Sequence, residues 1–190
     1  MTLSLHTVTS YGIRRSHDAL IRVVEDLSDE QLNERPSATA PSIAFHVWHA
    51  GRWADLLQSR MPAMTAELGR RLGSGAETWD SEKLAEKWGL LAFDLGGDAT
   101  GMGMSYDVSV ALPLPGKAEL LDYAKRAFEA ANRAVDAADE DELCESCTDL
   151  YGRQTSVAAA VLSHLAHVNR HLGMIEALRG VKGMRGTATV

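Results

Sequence analysis

The sequence predicts an all-α protein: a four-helix bundle with a long crossover between the second and third long helices that carries a short extra helix. Three observations lead there. Apolar residues recur at three- and four-residue steps in four long segments, the spacing that gathers them on one helix face. Strand-like alternation is scarce by comparison. The chain has 190 residues, 45% of them hydrophobic and 24% charged, which suits one globular domain able to bury a core without disulfides.

The first long helix is expected from about Leu5 to Leu27, with His6, Ser10, Ile13, His17, Leu20, Val24 and Leu27 inward. SDEQ at 28–31 fits a capping box, so a short turn of helix should begin there and end before Pro36. NERPSATAP is a linker of turn formers. The second long helix opens near Pro41 or Ser42 and runs to about Arg60. It places Ile43, His46, Ala50, Trp53 and Leu57 inward, flanked by His49 and Leu56. In the crossover, DSEKLAEKWG reads as one short helix capped by Asp80 or Ser81, and GGDATGMGMS reads as loop. That loop lacks the Lys-Ser/Thr ending and the preceding strand of a phosphate loop. The third long helix spans about Lys117 to Ala138, with Leu121, Ala124, Phe128, Ala131 and Val135 inward. The fourth runs from about Thr155 to Arg179 and stops at Gly180 as a C′ glycine. Residues 1–180 then form a single domain, and 181–190 a loosely packed tail.

Several function classes are disfavoured. A net charge of −7 opposes a nucleic-acid footprint. No apolar run approaches the roughly 18 residues of a membrane span. The N-terminus lacks the basic stretch and apolar core of a secretory signal. A cytoplasmic protein with neither a nucleic-acid nor a membrane partner is therefore expected. Cys144 and Cys147 form a lone C-x-x-C with no second ligand pair and no strand–helix context, and read as reduced thiols near a loop.

The chemistry concentrates in VAAAVLSHLAHVNRHLGMIEAL. Its three histidines, His164, His167 and His171, fall on the same inward stripe as Val161, Val168 and Ile175. His167 and His171 are four residues apart, so their rings share a face and can bind one small cation. His164 lies a turn earlier, as an outer donor or a wall. A third ligand must come from another helix, and the second helix offers His46 and His49. Bundle metal sites are built this way, at mid-depth from facing helices. Three protein ligands leave positions open for water or substrate, whereas a fourth would close the site. No E-x-x-H or H-E-x-x-H occurs, so neither a di-iron oxidase nor a zincin protease is supported. A donor set rich in imidazole suits zinc, nickel, iron or copper rather than magnesium or calcium.

PSIAFHVWHAGRWAD and HVNRHLGMIEALRG resemble the second- and fourth-helix motifs of the DinB-like four-helix-bundle superfamily, which includes mycothiol-dependent maleylpyruvate isomerases and bacillithiol and mycothiol S-transferases. The resemblance implies that His49, His167 and His171 bind a divalent transition metal, with zinc favoured and nickel or iron as alternatives. It also implies a low-molecular-weight thiol as cosubstrate, transferred to a small electrophilic substrate, and a homodimer. Isomerase members commonly carry glutamate at the position of His167, which favours a transferase-like or hydrolase-like site. Trp53 is expected to wall the pocket, Arg52 and Arg170 to meet an anionic substrate, and His46 or His164 to move a proton. Ala50 and Gly51 suggest an altered pocket wall. The alternatives are a non-catalytic metal-binding module for a small molecule or a stress-related partner, and a metal-dependent hydrolase at the same site.

Overall fold

In the computed structural model, which describes residues 4–187, the elements in chain order are α1 (Leu5–Glu25), α2 (Asp29–Asn33), α3 (Ile43–Arg60), α4 (Ala66–Leu72), α5 (Thr78–Ser81), α6 (Leu84–Lys87), α7 (Tyr106–Ala111), α8 (Lys117–Asp136), α9 (Glu140–Cys144), β1 (Ser146–Thr148), β2 (Gln154–Ser156) and α10 (Val157–Val181). The four long helices start where a side-chain acceptor stops their first N–H groups from being orphaned. The hydroxyls of Ser4, Ser42 and Ser156 accept from the amides of Thr7, Phe45 and Ala159. At α8, which begins after Gly116, the acceptor is borrowed: Asp29 Oδ1 takes the Lys117 N–H at 2.6 Å. The capping box of Ser28 and Gln31 forms as expected and opens α2.

Helix α1 packs on α8 and α10, and α3 packs on the same two, so α1 and α3 lie diagonally across the bundle. The inward stripes meet in one core, with Leu20, Val24, Ile43, Val47, Leu57, Ala124, Ala131, Val161 and Val168 wholly buried. Helix α3 is buried on every face from Ile43 to Leu57, because crossover segments cover the side that the bundle leaves free. At Gly51 the backbone of α8 comes so close that a Cβ would stand 3.2 Å from the Tyr123 ring and 3.5 Å from Ala124 Cα. Gly51 therefore serves helix packing and not a pocket wall.

Several boundaries differ from expectation, each for a local reason. In place of one helix over DSEKLAEKWG there are two single turns, α5, which starts earlier at Thr78, and α6, because Lys83 between them takes a left-handed backbone (φ 53°). The break lets Trp79, Leu84 and Trp88 all turn into the core. Helix α10 passes through Gly180 to Val181, and the left-handed residue is Gly183 (φ 72°). Arg179 holds this last turn, bonding the Val23 carbonyl and pairing with Asp26. The segment after α10 is tied back as far as it is described: the Thr187 N–H bonds the Glu176 carboxylate, and Met184 packs against the core. The hairpin of β1 and β2, with Cys147 opposite Thr155, takes residues expected to open the fourth helix. Cys144 and Cys147 are both free thiols. Among the described residues no helix is long and apolar enough to cross a membrane.

Candidate metal centre

Adjacent helices α3 and α10 bring His49, His167 and His171 together. His167 Nε2 lies 3.1 Å from His49 Nε2 and 3.2 Å from His171 Nε2. Nitrogens about 2.0–2.1 Å from one zinc ion stand roughly 2.8–3.4 Å apart for angles between right and tetrahedral. The three side chains thus form a group that can hold a metal ion. Burial, aided by the neighbouring imidazoles, holds all three down at about 3. They are therefore neutral at physiological pH, the state in which an imidazole nitrogen can act as a ligand.

A ligating histidine usually passes its other N–H to an acceptor, which fixes its tautomer. His171 Nδ1 faces His46 Nδ1 at 3.0 Å. His49 Nδ1 faces Gly101 in the loop between α6 and α7 and is buried with no hydrogen-bond partner among the described residues. His167 Nδ1 is buried with no hydrogen-bond partner. Of the three, His171 alone has the outer partner expected of a ligand, while the orphaned Nδ1 atoms of His49 and His167 mark a buried polar cluster that its own surroundings leave unsatisfied.

The glycine-rich loop closes on His49 from one side. Gly101 has φ +88°, and a Cβ there would stand 2.7 Å from His49 Nδ1 and 3.2 Å from the Trp48 ring. Gly101→Ala combines a left-handed backbone, which costs a non-glycine residue about 1–2 kcal/mol, with a direct push on His49. The variant is expected to unfold at lower denaturant and to bind metal more weakly. Metal affinity equal to wild type, measured by chelator competition, would show that the loop does not set the His49 ring.

Trp53 packs beside the cluster, 5.1 Å between ring centroids from His167 and 6.2 Å from His49, with its Nε1 buried and unpartnered. Tyr151 lies 5.1 Å beyond Trp53 and is 42% exposed. The hairpin turn sets it there: Asp149 accepts from the Tyr151 and Arg153 amides, and Arg153 stacks over the Tyr151 ring at 4.8 Å. Arg170 is exposed between the two α10 ligands in sequence and forms no ion pair among the described residues.

Arg52 does not reach this site. It is 1% exposed, and all its donors are taken: Nε by the Ala99 carbonyl, NH1 by Asp55 and the Tyr123 hydroxyl, NH2 by Glu77 and the Asp98 carbonyl. Its substrate role is replaced by a structural one, anchoring the loop that carries Thr100 and Gly101. Burial works against its charge, but Tyr123 and Glu77 outweigh that and hold its pKa above the ordinary value.

His164 also turns elsewhere. Its Nε2 lies 3.1 Å from His17 Nε2 on α1, and His17 Nδ1 lies 2.8 Å from Asn132 Oδ1 on α8. The His17 ring stacks on Phe128 at 4.2 Å. A cavity of about 480 Å³ between α1 and α8 reaches His17 and Asn132 but is not lined by His49, His167 or His171. The apolar spacing of α1 puts His17 on the inward stripe but says nothing of its pairing with His164, since that depends on which helices are neighbours. Tyr151 has no sequence signal either, because strands of three residues carry too little periodicity to be read.

Burial pulls the His17 pKa from 6.5 to about 4, against a smaller opposing effect of the Asn132 bond. As the pH falls, the unfolded chain takes up this proton first. The His17 contribution is therefore intact above 6.5, declines between 6.5 and about 4, and levels off below that. One pKa unit corresponds to about 1.4 kcal/mol, so the loss from His17 is on the order of 3 kcal/mol. Denaturant titrations of metal-free protein should show this decline, and His17→Gln should shrink it; a pH-independent difference between the two proteins contradicts the assignment.

The comparisons with known proteins agree with this architecture. None of the curated proteins matches the sequence. The crystal structure of a conserved protein from Enterococcus faecalis superposes with a TM-score of 0.71 at 17% identity, over 95% of this chain and 98% of that one, a likeness that shows the fold alone. The family model of the DinB superfamily matches residues 13–175, which include α3, the crossover and all three converging histidines. The chain belongs to the DinB superfamily.

Proposed function

We propose that the protein is a mononuclear metal-dependent enzyme that activates a low-molecular-weight thiol, of mycothiol or bacillithiol type, for transfer to a small electrophile. The observation supporting this most is the convergence of the three Nε2 atoms of His49, His167 and His171 from two helices, 3.1 and 3.2 Å apart. A set of three imidazoles suits zinc, with nickel and iron next, and leaves coordination positions for a substrate. Bound there, the metal supplies Lewis acidity that lowers the pKa of a thiol, whose thiolate is the nucleophile. Trp53 walls the site and excludes water from the His167 side. Arg170 meets an anionic group on the thiol or the electrophile.

Two measurements on untagged protein test this in sequence. Metal analysis is expected to find about one transition-metal ion per chain. Conjugation assays with mycothiol and bacillithiol against a model electrophile should then show turnover with at least one thiol, abolished by a chelator. Metal-loaded protein inert with every thiol removes the transferase reading and leaves a hydrolase at the same site as its successor.

A further inference from the structure

We propose that His46 is a positioning residue: by accepting the Nδ1–H of His171 it supports the tautomer in which His171 Nε2 can donate to a metal. The inference rests on the three-histidine reading above and goes beyond it by assigning a role to a residue outside the converging set.

His46 and His171 face each other through their Nδ1 atoms at 3.0 Å, on α3 and α10, and both are buried. A neutral imidazole carries one N–H and one lone pair, so a single proton lies between the two Nδ1 atoms. If that proton belongs to His46, His171 carries its own proton on Nε2, the atom turned toward His49 and His167. An Nε2–H cannot donate a lone pair to a cation. If the proton belongs to His171, its Nε2 lone pair is free toward the cluster, and His46 holds its proton on Nε2. The contact therefore has two arrangements, and only the second is competent for metal.

The other two rings lack such a partner. Neither His49 Nδ1 nor His167 Nδ1 has a hydrogen-bond partner among the described residues. His46 itself directs Nδ1 at the far edge of the His171 ring, not at the converging Nε2 atoms. It is thus an orienting acceptor and not a fourth ligand, and the site stays open. Removing outer partners of this kind costs roughly 10–100-fold in metal affinity.

The test compares zinc affinity, by chelator competition, in wild type, His46→Leu and His46→Asn. Leucine fills the space without an acceptor, whereas asparagine restores an oxygen near the position of Nδ1. Leucine is expected to weaken zinc binding by roughly 10–100-fold and asparagine to recover most of it. Nitrogen-15 NMR of zinc-loaded wild type, which needs no variant, should find His171 protonated on Nδ1 and His46 on Nε2. A His46 protonated on Nδ1, or a leucine variant that binds zinc as tightly as wild type, overturns the inference. Wild type that binds no zinc overturns the metal reading itself and this inference with it.

Discussion

Arg52→Met is expected to destabilise the metal-free protein by about 3–5 kcal/mol, the usual cost of removing one partner from a buried ionic network. The magnitude follows from what remains. Asp55 is wholly buried and Glu77 nearly so, and each loses the cation that compensates it. Asp55 would still accept from the amides of Thr78 and Trp79 and from the Tyr123 hydroxyl, so the site does not collapse entirely. The Asp98 and Ala99 carbonyls lose their donor, in a stretch where both residues hold left-handed backbones (φ 49° and 50°). Arg52→Lys should rescue little, because an ammonium cannot span five acceptors on one plane. Chemical denaturation measures the loss, and a change below about 1 kcal/mol would place Arg52 among ordinary exposed ion pairs and contradict its role. Since this side chain fixes the loop over His49, the same variant should also bind metal more weakly.

Alanine at His49, His167 or His171 should cost more metal affinity than the roughly 10–100-fold lost with an outer partner. The effect on the metal-free fold should be far smaller at His167, which is only half-buried and whose Nδ1 is already orphaned. Metal-free His167→Ala is expected within about 1 kcal/mol of wild type. Clustered buried imidazoles benefit a ligand more than the apoprotein, the familiar tension between stability and function. Thermal melts with and without chelator separate the two effects: wild type should gain stability on loading, and the variant should not. A His167→Ala protein stabilised by metal as much as wild type would remove His167 from the donor set.

Much of the bundle is legible in the sequence because its signal is local. The three-four spacing of Leu20, Val24 and Leu27, or of Leu121, Ala124 and Phe128, needs no knowledge of neighbours, and those residues are buried as expected. The capping box at Ser28 is legible for the same reason. The i, i+4 spacing of His167 and His171 is enough by itself to put their rings on one face. What cannot be read depends on tertiary adjacency. Arg52 stands three residues from His49, which makes a substrate contact plausible from spacing alone. Only the crossover wrapped around α3, burying every face, shows where its guanidinium goes. His17 is one polar residue on an apolar stripe unless α1 is known to lie beside α10 and α8. The glycine-rich loop is legible as loop, but not that Gly101 is the point where backbone passes His49. The break at Lys83 is hidden because a left-handed lysine has no sequence signature.

The most direct measurement is X-ray absorption at the metal edge on untagged protein, together with metal quantification. About one transition-metal ion per chain, coordinated by three imidazole nitrogens and solvent oxygen, is the expected result. Protein that takes up no metal, or a spectrum requiring four imidazoles or a protein thiolate, would contradict an open site built on His49, His167 and His171.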